Sequence, residues 1–246
     1  MRLDLLTSDW HKLVKPVLPH ASTDKELPHL RRVRLEFGAR ALYAVATDRY
    51  TLAAERWPLP PADLRMVPWQ WPPVDIEAAE IAPTLKLFTY DKDADPPLHV
   101  TVDRAPIPLE GTGGSIDSWA VIIERPGDGL RLLLRDRRQP DLGIGDWRKS
   151  ILAAMTRPRG RALDGLDVPG RLFARWASAV RGAEQLRVWT GPSAGDPLLI
   201  TVEDHFAGIM IARWQLDDPA RDRSALPWAG ELLPEGVTAD GEAGDD

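Results

Sequence analysis

Apolar residues first recur with helical spacing at Trp10, Leu13, Val14 and Val17, behind Ser8, a residue suited to capping a helix. Pro16 and Pro19 shorten that helix, because proline removes a backbone donor and crowds the turn before it. The pattern then changes to strands. Leu30–Phe37 alternates polar and apolar, Ala41–Ala46 reads as its partner, and Gly38-Ala39-Arg40 between them reads as a hairpin turn. A third strand is expected over Tyr50–Trp57. Residues 58–73 hold six prolines and read as a connector. A helix is expected within 75–89, started or broken by Pro83. Strands at Leu98–Asp103, Trp119–Glu124 and Leu130–Arg135 follow, with a polar, glycine-containing loop at 109–117. Asp146–Thr156 and a segment from Pro169 read as helices, and Leu172, Phe173, Trp176 and Val180 fall on one face of the second. Three strands, Leu186–Thr190, Leu198–Glu203 and Ala207–Trp214, close the body.

This order repeats one helix followed by about three strands. It predicts an α+β fold with helices covering one face of antiparallel sheet. Strands and helices do not alternate singly, so a doubly wound nucleotide-binding fold is not expected. The 246 residues suit one large domain or two small ones and suffice to bury a core. The chain has no cysteine, which excludes disulfides, thiolate zinc sites, iron–sulfur clusters and a cysteine nucleophile. No apolar run approaches the ~20 residues that span a bilayer, and the first residues lack the apolar core of a signal peptide. A cytoplasmic location is expected.

Charge is segregated. The formal net charge is −6, yet residues 130–190 carry thirteen bases against six acids, while 57–129 carry twelve acids against five bases. A basic stretch of this kind fits a surface that meets a polyanion, or arginines on a solvated face. Residues 215–246 hold nine acids and two bases, and the last part is expected to be disordered.

Candidate catalytic chemistry is sparse. The five histidines show no H-x-x-x-H spacing, and Asp204-His205 reads as a pair at a turn. Gly111-Thr112-Gly113-Gly114-Ser115 lacks the lysine of a phosphate loop, and Asp91-Lys92-Asp93-Ala94-Asp95 lacks the glycine and distal glutamate of a calcium loop. No catalytic residue, cofactor or metal is implied. Trp69-Gln70-Trp71 sets two rings on one side of an extended segment, as connector packing or as a patch for a partner.

Three strings resemble the bacterial sliding clamp family, the β subunit of DNA polymerase III. Ala46-Thr47-Asp48-Arg49-Tyr50-Thr51-Leu52-Ala53 is similar to the family's A-T-D-G-H-R-L-A, with Arg49 and Tyr50 in place of Gly-His. Gln139-Pro140-Asp141 with Asp146-Trp147-Arg148-Lys149-Ser150-Ile151 resembles a split F-P-D-Y-R-R-V-L-P, and Met210-Ile211-Ala212-Arg213 resembles M-P-M-R. The strings stand in family order. The resemblance implies a clamp-like processivity fold. Residues 1–140 would match the family's middle domain, 141–216 the end of its last domain, and 217–246 would be an acidic tail. It implies a non-enzymatic platform associated with double-stranded DNA without sequence preference, recruiting replication or repair proteins. A clamp this short would need several copies to close a ring. The family's peptide cleft maps onto Leu30, Thr47, Arg49, Tyr50, Leu52, Ile151 and Met210. Lys12, Lys15, Arg148, Lys149, Arg171, Arg175 and Arg181 are the expected DNA-facing residues. A second reading is a clamp-derived interaction module that keeps the cleft but does not encircle DNA.

Overall fold

The structure, a computed structural model, describes residues 2–38, 40–59, 71–91, 93–108, 115–138, 144–158, 170–193 and 196–211. It begins on a strand that the local pattern conceals. β1 (Arg2–Leu6) turns Leu3 and Leu5 inward and leads directly into α1 (Thr7–Val14). Ser8 is not its cap: Leu6 holds that position, and the Ser8 amide donates to Asp95 Oδ1 at 2.9 Å. The expected helix is shorter than its apolar spacing, and Pro19 stands in a separate 3-10 turn, Leu18–His20.

The hairpin forms as expected, from β2 (Arg32–Phe37) and β3 (Ala41–Thr47), and β4 (Thr51–Pro58) follows. The helix expected over 75–89 is instead a strand and two single turns. β5 (Val74–Glu77) precedes α2 (Ala78–Ile81) and α3 (Thr84–Leu87), with Pro83 at the N-cap of α3. β6 (Pro97–Pro108), β7 (Ser115–Arg125) and β8 (Leu130–Arg135) are the next three strands. Beyond them come α4 (Trp147–Thr156), α5 (Gly170–Phe173), a 3-10 turn Ala174–Ala179, and β9 (Leu186–Trp189), β10 (Leu198–Val202) and β11 (Phe206–Met210). Phe173 does not share the buried face with Leu172 and Trp176; the tightening from α-helix to 3-10 turn rotates it into solvent.

All strand pairs are antiparallel and make two sheets, in the orders β1-β6-β7-β8 and β5-β2-β3-β4-β11-β10-β9. The first two repeats exchange their leading strands. β1, which opens the first, pairs with β6 of the second, and β5, which opens the second, pairs with β2 of the first. The third meander, β9-β10-β11, joins through β11 to β4, with Leu52 opposite Ile209 and Thr51 opposite Met210. The seven-stranded sheet thus runs across the boundary expected at residue 140, and residues Met1–Ala212 form one compact unit. The acidic tail and most of the connector over 58–73 lie outside the described residues, as do Trp69, Gln70, Gly111 to Gly114 and Arg213.

Alternation along the strands gives the large sheet two distinct sides. On one side Val33, Leu35, Ala44 and Ala53 are fully buried beneath α1 and the 3-10 turns. Trp10 Nε1 donates to Thr84 Oγ1 at 2.9 Å, tying α1 to α3. Trp176 is fully buried against His20, with ring centroids 4.3 Å apart, and against Phe206 at 5.9 Å. Gly208 makes room for it. A Cβ there would enter the Trp176 ring and come within 2.6 Å of the Leu52 carbonyl oxygen. On the other side, Val45, Leu52 and Ala54 pack beneath Trp147 and Ile151 of α4. Helices therefore lie on both sides of this sheet, not one as expected, because α4 brings an apolar stripe of its own to the opposite side.

Candidate functional site

The β3–β4 turn and the β4–β11 seam form one local structure. Asp48 organises the turn: its Oδ1 accepts from the Tyr50 amide at 3.0 Å, the Thr51 amide at 2.8 Å and Thr51 Oγ1 at 2.9 Å. Arg175 donates to its other oxygen. Burial opposes ionisation of Asp48, but the Arg175 and Thr51 bonds outweigh it and hold the pKa below its ordinary value. Thr47 Oγ1 donates to the Thr51 carbonyl at 2.7 Å. Arg49 stands at φ 81°, in the left-handed region. That backbone explains why a glycine suits this place in the similar motif, and a side chain there is strained.

The turn delivers Tyr50 to the surface, where the Ile211 amide donates to its carbonyl at 2.8 Å. Tyr50 is 45% exposed and Ile211 49%. Register puts both on the side of the sheet that carries Leu52 and Ile209. Beside them along the two strands stand Leu52 and Ile209, and the floor that Leu52, Ile209 and Ile151 form is covered by α4. α4 is fixed over that floor by side-chain bonds. Asp146 caps it by accepting from the Lys149 amide at 3.1 Å, and Trp147 Nε1 donates to Glu36 Oε1 at 3.1 Å. Arg148 pairs with Glu36, and its guanidinium lies 5.0 Å from the Tyr43 ring centroid.

Of the expected cleft residues, Thr47, Arg49, Tyr50 and Leu52 share this turn and Ile151 packs against Leu52. Leu30 is buried just before β2, whose Val33 pairs with Ala46 near the start of the turn. Met210 is a correction. It is fully buried and faces the side of α1, because a one-residue step along β11 reverses the side chain, and Ile209 takes the place expected of it.

The expected DNA-facing set is also divided. Lys12, Lys15, Arg171, Arg175 and Arg181 belong to elements on the α1 side, whereas Arg148 and Lys149 lie on α4, across the sheet. No single surface holds all seven. Arg175 is committed to Asp48, Lys12 pairs with Asp9 at 3.0 Å, and Arg181 donates to Glu55 at 2.6 Å and to the Lys12 carbonyl at 3.2 Å. Lys15 and Arg171 are exposed, and neither joins an ion pair among the described residues.

Sequence reasoning missed two features. Glu55, on β4, is buried beside His205, whose Nδ1 donates to it at 3.0 Å, while His205 Nε2 lies 3.2 Å from Glu184. The bond to Glu55 holds the His205 pKa above its ordinary value, and burial raises that of Glu55. Asp204-His205 thus stands at a turn as expected, and the histidine serves a buried ionic cluster. The second feature is a cavity of about 260 Å³ between the end of α4 and β9–β10, with Met155, Pro158, Trp189 and Leu199 in its walls. Trp189 Nε1 donates to Thr201 Oγ1 at 3.1 Å, which fixes the ring. The only signal of it in the sequence is that Trp189 and Leu199 are apolar positions of neighbouring strands. Among the described residues no group of three or more His, Asp or Glu side chains is arranged to hold a metal, and no helix is long and apolar enough to cross a membrane.

No family model matches the chain, and no curated protein matches it. Solved structures do. The DNA polymerase sliding clamp of Bacillus subtilis superposes with a TM-score of 0.58 at 14% identity, over 87% of this chain and 64% of that one. The DNA polymerase III beta subunit of Thermotoga maritima gives 0.57 at 12%, over 87% and 65%. The beta subunit of Borrelia burgdorferi, solved in complex with a natural product, gives 0.60 at 9%, over 87% and 64%. The chain spans just under two thirds of the length of these proteins. At such identities the likeness is one of architecture: this chain has the fold of the bacterial DNA polymerase III β sliding clamp, with a divergent sequence.

Proposed function

We propose that this chain is a non-enzymatic, DNA-associated platform that recruits replication or repair proteins by holding a short hydrophobic peptide at the β4–β11 seam. The observation that carries the reading is the exposed pair Tyr50 and Ile211, joined by a backbone hydrogen bond and next along the strands to the pair Leu52 and Ile209. Two large apolar side chains on a rigid ladder offer adjacent anchors at small cost in ordering. Thr47 and Arg49 would supply the polar edge for the peptide backbone. The described parts of the strings similar to the clamp family, Ala46–Ala53, Asp146–Ile151 and Met210-Ile211, lie on β3–β4, α4 and β11 around this seam.

The test is a fluorescence-anisotropy titration of a labelled peptide of the Gln-x-x-Leu-Phe kind. Tyr50→Ala and Ile211→Asp act on exposed groups, so both variants should stay folded. Each should raise the dissociation constant by about tenfold or more, as expected for central anchors. Wild-type protein that is folded and shows no binding would sink the reading.

A second reading is favoured by the ion pairs of Arg175 and Arg181 with the buried Asp48 and Glu55, which engage two of the expected DNA-facing cations within the protein. It is an interaction module that holds the same peptide without encircling DNA. Duplex binding that weakens steeply with salt supports the platform, since each phosphate contact releases counterions. Peptide binding with no duplex binding at low salt supports the module.

A further inference from the structure

Among the described residues, three side chains enclose a nitrogen that has no hydrogen-bond partner: His20, Trp176 and Arg32. The first two pack against each other, and neither carries a charge: the indole has none, and burial keeps the imidazole neutral. Arg32 has no such escape. A guanidinium keeps its charge in proteins, and a buried charge without a partner is costly to hold. Arg32, the first residue of β2, is only 6% exposed, and its Nε and Nη1 are both enclosed and unbonded.

The acids on this part of the sheet are already engaged. Glu77 stands directly opposite on β5, and Arg31 holds it at 3.2 Å. Asp75 accepts from Arg34 Nε at 2.7 Å and from its Nη2 at 3.0 Å. Asp136 pairs with Arg138, and Glu36 with Arg148. Arg32 is the base left over, and it joins no ion pair among the described residues. Its neighbour Arg34 pairs across the strands with Val45, beneath α4, so alternation sets Arg32 on that side of the sheet. One step along the ladder from Val33 and Ala46, Arg32 comes beside Thr47. The row continues through Leu52 to Ile209, next to Tyr50 and Ile211. Strands lie about 4.8 Å apart, so the seam is about 12 Å from Arg32 across the sheet. An extended peptide covers that span in about four residues. Arg49, two residues beyond Thr47, is exposed and also joins no ion pair among the described residues. Two uncommitted positive charges therefore flank Thr47.

We infer that Arg32 receives a carboxylate of the partner peptide, an inference that rests on the seam holding a peptide at all. The planar fork of a guanidinium presents two N–H groups side by side, which match the two oxygens of a carboxylate. The free protein keeps this fork buried and unpaired, and the bound peptide supplies the missing negative charge. The partner is then an apolar peptide with an acid within about four residues of its apolar pair, either an Asp or Glu side chain or the free carboxylate of the peptide's end. A charge that is kept although it costs stability fits a binding site better than it fits packing.

The test titrates the full-length protein with amidated peptides of the Gln-x-x-Leu-Phe kind. Each carries one Glu, or one Gln at the same place, about two to four residues to either side of Leu-Phe. A further series ends in a free carboxylate and has no Glu, which separates the two sources of the acid. Wild-type protein should bind the best acidic peptide about tenfold or more tightly than its neutral twin. Arg32→Met should bring that ratio to about one and raise the urea midpoint, because the variant no longer buries an unpaired charge. Arg32→Lys keeps the charge without the fork and should retain only part of the preference. If wild type binds neutral peptides as tightly as every acidic one, the inference is overturned and the peptide reading stands. If it binds none of them, both fall. A preference that survives Arg32→Met overturns the inference, as does a lower urea midpoint in that variant.

Discussion

Replacing His20 by leucine should flatten the fall of stability on the acid side of neutrality. The imidazole is fully buried, and neither ring nitrogen has a hydrogen-bond partner among the described residues. Burial first, and the neighbouring Arg175 guanidinium second, lower its pKa from 6.5 to about 3. The folded protein therefore holds this ring neutral, while the unfolded chain protonates it below pH 6.5. A group whose folded pKa is depressed contributes stability that is fully present above the unfolded value. That contribution is lost as pH falls from 6.5 toward 3. Between about pH 7.5 and about pH 5 the unfolded state gains about 2 kcal/mol from this proton. Leucine carries no proton in either state, so the variant should lose about 2 kcal/mol less than wild type over that interval. Urea unfolding of both proteins at the two pH values measures it, and taking the difference cancels titrations at distant groups. The ring itself can be followed by NMR, where its carbon-bound protons should keep their neutral shifts to pH 5. Equal pH dependence in the two proteins, or an imidazolium signal in the folded state near pH 6, would refute the reasoning.

Gly208→Ala should cost about 2 kcal/mol or more, because the added carbon meets a backbone oxygen that cannot swing aside, together with the Trp176 ring. Denaturant midpoints at constant m-value would show it, and an unchanged midpoint would mean that the seam can open. Arg49→Gly should stabilise by about 1 kcal/mol, since it relieves a left-handed residue whose cost glycine does not bear; a loss of stability would argue against strain at this turn. His205 has the opposite sign to His20. Its folded pKa is raised, so its contribution is present below pH 6.5 and is lost as pH rises through the folded value. His205→Gln should remove that alkaline-side decline in a series of melting temperatures.

β2 was legible in the sequence because it alternates polar and apolar residues, whereas β3 and β4, covered on both sides of the sheet, were found as short apolar runs between turn residues. β1 and β5 were not. Each is only a few residues long, and each pairs with a strand far along the chain: Leu3 with Val100, and Val74 with Leu35. Nothing local records a pairing across such separations. α4 was legible because Asp146 caps an apolar stripe, but which side of the sheet it covers depends on the seam with β11. The turn residues of the candidate site were named together, and Met210 was named with them although the register turns it to the α1 side. Its similarity to a motif fixed its place on the strand to within one residue, and one residue decides the direction of a side chain. Glu55 carried no reading and Arg175 was expected to face DNA until the fold set His205 and Asp48 beside them.

The seam between β4 and β11 also orders events during synthesis. Both exchanged repeats can be complete once Arg135 has left the ribosome, yet β11 starts at Phe206, roughly seventy residues later. At about 5–20 residues per second the outer edge of β4 waits for several seconds with its backbone donors and acceptors unpaired. An uncovered edge in the middle of a future sheet is a template for pairing between nascent chains. Slowed translation over residues 136–205 should therefore favour aggregation, and a chain stopped before Phe206 should be poorly soluble even though its first two repeats can complete each other.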